Sequence, residues 1–351
     1  MEHHLVAWDQ VVVLLLPLPL IAAANLHERP PASWTAAGVG RFRSAFWLLL
    51  AVVPTSTVAF GFLSFGSPTA ALILVVTGLT AALLLMHPIR AAIARAIPID
   101  PASALDATAL VLSTVLVGSQ LASQTASDLL AQQARSGVPL GPADLVVQEV
   151  PFLLAAVLGV GLFIRRTPRA ATARLGVERP TGWQVVLALA AAGAFYAFGI
   201  GMDALSHLLT PDLAGKVDAA NRRLFGQLDD PLGIATIALS AGICEELLFR
   251  GALQPRLGVL WTSLVFAAIH TQYGLSLDTV AVFILAIGLG MLRRTANTTT
   301  STICHVAYNA LVGVTVSGGW LVPALGLEIA LLLGGLTAFF TGRLGNLRTA
   351  P

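Results

Sequence analysis

Three short stretches of this chain carry side chains able to do chemistry. The first is the pair Glu245 and Glu246 with Arg250, the second Phe266 with His270, and the third His305 with Asn309. Glu246 and Arg250, Phe266 and His270, and His305 and Asn309 are each four residues apart, so on helices each couple shares a face. Glutamate before arginine at that spacing is the favourable direction for a helical ion pair, so Glu246 and Arg250 can neutralise each other. Glu245 is turned about 100° from its neighbour and about 140° from the arginine, which leaves it as the carboxylate free to work. A set of this composition suits proton relay, metal binding or hydrolysis. For hydrolysis, Glu245 beside Glu246 is the general base for water. His270 orients that water, and His305 with the Asn309 amide supplies the donors for an oxyanion.

Other routes to hydrolysis lack their parts. The chain has no His-Glu-x-x-His zinc-protease motif and no Gly-x-Ser-x-Gly elbow, and nothing marks Ser240 or Ser263 as a nucleophile. Its two cysteines, Cys244 and Cys304, are too few for a disulfide framework or a four-thiolate zinc site and read as small buried hydrophobes.

The elements that must position these residues are transmembrane helices. Of 351 residues, 56% are hydrophobic and 11% charged, less than half the charged share of a soluble domain, and the apolar residues come in blocks long enough to cross a bilayer. Spans are predicted near Val11 to Ala24, Ala45 to Phe65, Thr69 to Met86, Ala104 to Leu121, Leu145 to Ile164 and Trp183 to Leu205. Five more lie near Leu232 to Leu253, Leu257 to Thr271, Leu277 to Leu292, Thr298 to Ser317 and Leu321 to Phe340. Backbone groups in hydrocarbon must bond within their own segment, so each span is expected to be helical and the fold all-α, with about eleven crossings.

Charge gives the orientation. Sixteen of the twenty basic residues fall on one side of this topology, leaving Arg135, Lys216, Arg222 and Arg223 on the other. The positive-inside rule then places the N-terminus outside and the C-terminus in the cytosol. The first apolar block ends in Ala22, Ala23 and Ala24 but lacks a basic n-region, so it reads as a retained helix and not a cleaved signal. A net charge of +2 points to no nucleic-acid partner; the bilayer is the expected surrounding. An Arg- and Pro-containing stretch, 165–181, reads as a cytosolic linker between an N-terminal five-helix region, 1–164, and a C-terminal region, 182–351. Pro211 to Pro231 forms an amphipathic outside segment, read as a surface-lying connector, with a lid as the alternative.

Ionisable residues inside spans are costly and therefore informative. Asp106 and Glu149 lie near helix ends and read as interfacial charges; Glu328 is deeper and receives no role. The seventh, eighth and tenth spans differ, because their polar residues share a level. Counted from a turn near Pro255 to Leu257, Glu245 lies roughly 15 Å and His270 roughly 20 Å into the membrane; His305 lies about 16 Å in from Arg294. Three helices thus bring a carboxylate and two imidazoles to one layer.

These motifs, Glu-Glu-x-x-x-Arg, Phe-x-x-x-His and His-x-x-x-Asn in that order, resemble the CAAX prenyl endopeptidase and bacteriocin-processing (CPBP, or Abi) family of intramembrane peptidases. The resemblance covers about 232–319. It implies an all-helical core with an intramembrane cavity, in which Glu245 activates water, His270 partners that water, and His305 and Asn309 bind the oxyanion. Arg250 and Phe266 support the site. A metal-free glutamate mechanism is the favoured expectation; a divalent metal such as zinc would fall to Glu245, His270 and His305 with one position open. The expected substrate is a membrane-associated peptide or protein, and the arginine- and alanine-rich composition suggests a prokaryotic cell membrane. The alternatives are a non-enzymatic protein such as a bacteriocin immunity factor, or a proton-coupled transporter. No inverted repeat favours the latter.

Overall fold

A computed structural model describes residues 15–64, 66–316 and 333. Among them there are helices and connecting turns but no strand. In chain order the helices are α1 (Pro17–Glu28), α2 (Ala36–Leu63), α3 (Pro68–Leu83), α4 (His87–Ile93), α5 (Ala104–Ala126), α6 (Leu129–Ser136) and α7 (Pro142–Gly159). They continue with α8 (Pro168–Leu175), α9 (Gly182–Leu209), α10 (Pro211–Phe225), α11 (Pro231–Glu246), α12 (Gln254–Ile269), α13 (Leu277–Thr295) and α14 (Thr298–Val316). A seven-residue π-helix, Leu247–Leu253, joins α11 to α12.

Five continuous helical stretches are long and apolar enough to cross a membrane: Ala36–Leu63, Ala104–Ala126, Pro142–Gly159, Gly182–Leu209 and Pro231–Ile269. A sixth would be the pair α3 and α4, bent by 95°. Arg90 holds that bend by donating to the carbonyls of Leu84 and Leu85 at 2.8 and 2.6 Å, which the end of α3 would otherwise leave bare, and to that of Pro101 at 2.9 Å. Large apolar side chains stay exposed along these helices, among them Leu48, Phe60, Leu72 and Leu260, as expected where the solvent is lipid. The last predicted span, Leu321 to Phe340, lies outside the described residues apart from Leu333, as do Glu328 within it and the start of the first span.

Side-chain caps start the helices. The hydroxyls of Thr35, Ser67, Ser103 and Thr167 accept from backbone amides three residues on, and the Asp230 carboxylate does so at α11. Such caps satisfy amides that a helix start leaves unbonded.

The 39 helical residues from Pro231 to Ile269 are not one rod. Gly258, with φ 75° and ψ 172°, breaks the helix. Phe249 meets Phe266 at 5.0 Å between ring centroids, although seventeen residues of straight helix would hold them about 26 Å apart. The chain therefore reverses at Gly258, one residue past the turn expected at Pro255 to Leu257, in a backbone region that glycine enters without penalty.

Two sequence readings change here. Asp106, in the first turn of α5 near a helix end as expected, is not a free charge there: it is 5% exposed and forms an ion pair with Arg256 that ties the start of α12 to the start of α5. Glu149 likewise turns inward, with Oε2 buried. The stretch 165–181 contains α8, which packs on the π-helix; Arg174 donates to the Gly251 carbonyl at 3.2 Å, and Gly176 accepts from the Thr298 amide at 3.0 Å. The amphipathic segment forms α10, which buries Val217 and Ala220 against Leu130 of α6 and packs on Tyr273. Lys216 bonds Asp128 across this contact at 2.6 Å and holds that carboxyl below its usual range.

Candidate active site

The site forms where α11, the π-helix, α12 and α14 meet. Gly242 permits a close approach of α14 to α11, since a Cβ there would stand 3.1 Å from the Val306 amide nitrogen. That contact sets α14 against α11 one turn before Glu246 and one residue after His305. Glu245 is 6% exposed, Glu246 0%, Arg250 1% and His305 6%, so the carboxylates face protein and not lipid.

Glu246 and Arg250 pair as the spacing predicts, with Nη1 3.4 Å from Oε1. The pair has further partners. The His305 Nδ1 lies 3.1 Å from the same Oε1 of Glu246, and Arg250 donates from Nη2 to the Ala286 carbonyl at 3.2 Å. Its guanidinium also stacks over the Phe266 ring, 4.4 Å from the centroid. A buried charge needs such company, since removing one partner from a buried pair typically costs about 3–5 kcal/mol.

The other face of His305 points to Glu245, with Nε2 3.9 Å from Oε2. That is too long for a direct hydrogen bond, yet one water about 2.8 Å from each atom could touch both. Glu245 Oε2 is buried without a protein hydrogen-bond partner. When His305 carries both ring protons, Nδ1–H donates to Glu246 and Nε2–H is available beside Glu245.

His270 ends α12, its Nδ1 2.8 Å from the Phe266 carbonyl. With Nδ1 engaged there, Nε2 is left for another partner. Phe266 lies at the centre of these rings, 4.7 Å from His270 and 6.0 Å from His305 between centroids. Asn309 sits one turn beyond His305 on the same helix and is half-buried, so the helix brings it to the group.

The donor atoms of Glu245, His270 and His305 do not all lie within 4.8 Å of one another. Among the described residues, the trio that meets this distance is Asp203, His207 and Asp218, on α9 and α10. The arrangement therefore does not fit a preformed three-ligand zinc site, and no step below passes through a metal. Cys304 is buried and Cys244 half-buried. Ser240 is bonded to the Thr236 carbonyl at 2.6 Å, and Ser263 is 2% exposed.

Two neighbours escaped the sequence reading. Tyr273 lies nearly parallel to His270, with centroids 6.2 Å apart, and only the 3₁₀ turn after α12 reveals this. Glu149 comes from α7, which runs alongside α11: Phe152 meets Phe249 at 6.2 Å, and Gly159 lies beside Ala252. Its one signal was a lone carboxylate in an apolar span.

No curated protein and no solved structure matches this chain. Residues 227–311 match the family described as Type II CAAX prenyl endopeptidase Rce1-like. That segment contains Glu245, Glu246, Arg250, Phe266, His270, His305 and Asn309, and it ends two residues after the last of them. The matched segment is thus similar to the CAAX-type intramembrane protease family that the three motifs resemble.

Proposed function

We propose that this protein is an intramembrane endopeptidase that hydrolyses a peptide bond of a membrane-associated substrate with water activated by Glu245. The observation that carries the reading is the buried, unbonded Glu245 Oε2 lying 3.9 Å from His305 Nε2, with Glu246 and Arg250 holding the imidazole from behind. Water held near Glu245 and His270 loses a proton to Glu245 as its oxygen attacks the carbonyl carbon. The developing oxyanion accepts from His305 Nε2–H and the Asn309 amide, donors fixed before the charge forms. Glu245 then returns the proton to the leaving nitrogen as the C–N bond breaks, giving an acid and an amine.

Glu246 serves this reaction indirectly. By holding His305 at Nδ1 it directs Nε2 toward the reacting atoms, and Arg250 prevents Glu246 from being an uncompensated buried charge. Burial of the whole group strengthens each of these interactions relative to water.

The family description makes prenylated peptides ending in a CAAX sequence the first substrates to offer. Protein in liposomes is given a farnesylated CAAX peptide and a set of unprenylated membrane-anchored peptides, with and without a chelator, and products are read by mass spectrometry. The proposal expects cleavage of at least one peptide and no loss on chelation. Loss of cleavage restored by zinc would replace the metal-free scheme, and no cleavage of any peptide would favour a non-enzymatic role.

A further inference from the structure

A helix outside the matched segment is bonded to the motif helix α12 from its start to its end. Three polar contacts join α5 to it in ascending order: the Asp106–Arg256 ion pair, Trp261 Nε1 donating to the Ser113 hydroxyl at 2.9 Å, and Gln124 Nε2 donating to the Thr271 carbonyl at 3.0 Å. The two helices therefore run side by side in the same direction. The last of the three contacts falls on the residue that follows His270.

Such support has a use, because α12 is broken near one end and runs out at the other. Gly258 interrupts it two residues after Arg256, so helical continuity with the π-helix does not set the rotation of the stretch that carries His270. His270 itself leaves helical geometry, with φ −84° and ψ 61°, where a helix exhausts its own hydrogen bonds. The His270 ring is bonded within that last turn, Nδ1 to the Phe266 carbonyl, and goes where the turn goes. The Thr271 carbonyl closes the following turn by accepting from the Gly274 amide at 3.1 Å. Gln124 donates to the same oxygen, which engages both its lone pairs and fixes the turn to α5. Gly274 then takes φ 61° and ψ −150°, a conformation essentially confined to glycine, and its carbonyl accepts from the Thr279 hydroxyl at 2.6 Å.

We propose that Gln124 is a positioning residue of the active site: through the Thr271 carbonyl it fixes the last turn of α12 and so places the His270 ring beside the attacking water. The inference rests on the reading of His270 as the partner of that water. It gives the N-terminal helices a part in the chemistry, because Gln124 lies outside residues 227–311.

The test uses the full chain and the variant Gln124→Met, which keeps the length of the side chain and removes its donor. With the farnesylated CAAX peptide, Gln124→Met is expected to lower kcat by about 10- to 100-fold at unchanged KM and unchanged unfolding midpoint, the scale of loss when a group at the reacting centre is misplaced by about 1 Å. Histidine ring resonances of isotope-labelled protein give a readout that needs no substrate. The His270 signals, identified by their absence from His270→Gln, are expected to move in Gln124→Met, while those of His305, identified through His305→Gln, stay in place. A merely structural bond would lower the midpoint and leave the His270 signals where they are, and unmoved His270 signals would overturn the inference. Wild-type kcat in Gln124→Met together with an inactive Glu245→Gln would overturn the positioning role and leave the base in place, whereas an active Glu245→Gln would remove the base itself. Should Gln124→Met fail to accumulate, Gln124→Leu replaces it, and the ring resonances still decide.

Discussion

Nδ1 of His305 lies 3.1 Å from Oε1 of Glu246, so the second glutamate of the motif orients an imidazole as well as neutralising an arginine. Glu246 is therefore expected to act on rate through His305. Its loss separates from that of Arg250, which touches Glu246 and the Phe266 ring and reaches the reacting atoms through them.

Arg250→Ala leaves Glu246 without its cation in a fully buried position. It is expected to destabilise the fold by about 3–5 kcal/mol, seen as a lower unfolding midpoint in detergent and poor accumulation in membranes. The double variant Arg250→Ala with Glu246→Gln should recover part of that stability, because the unpaired charge is gone. An Arg250→Ala protein as stable as the wild type would contradict the pairing.

Asn309 is half-buried on α14, one turn beyond His305. Asn309→Ala is expected to lower kcat about 10²-fold, as for loss of one oxyanion donor, with unfolding unchanged. A fall in KM-dependent binding alone, with kcat intact, would assign it to substrate contact instead.

Gly242 lets α14 approach α11, and any side chain there meets the Val306 backbone. Gly242→Val is expected to move His305 away from both glutamates, abolishing most activity while far-ultraviolet circular dichroism still reports helix. Retained activity would mean that the helix contact does not set the site.

Much of this arrangement was legible in the sequence because helical spacing and membrane depth are simple periodic quantities. The Glu246–Arg250 pair followed from four-residue spacing, and the common level of Glu245, His270 and His305 from counting rises. What escaped depends on contacts between helices distant in sequence. Glu149 looked like an interfacial charge because a helix's rotation about its axis is set by its neighbours, and the inward turn of α7 is written in α11. The pairing of Asp106 was not visible for the same reason, its partner Arg256 lying 150 residues away. The turn between the two motif helices was placed within a residue or so, but Pro255 continues the helix and Gly258 makes the reversal. The dual attachment of Glu246 needs the α11–α14 crossing, which no local pattern encodes.

The central claim is that the Glu245 carboxylate takes a proton from water. Its most direct measurement is kcat for Glu245→Gln in liposomes, alongside the unfolding midpoint of the same protein. The isosteric amide leaves packing intact but cannot act as a base, so kcat is expected to fall by about 10²- to 10⁴-fold with the midpoint unchanged. Cleavage at the wild-type rate by a folded Glu245→Gln protein would contradict it.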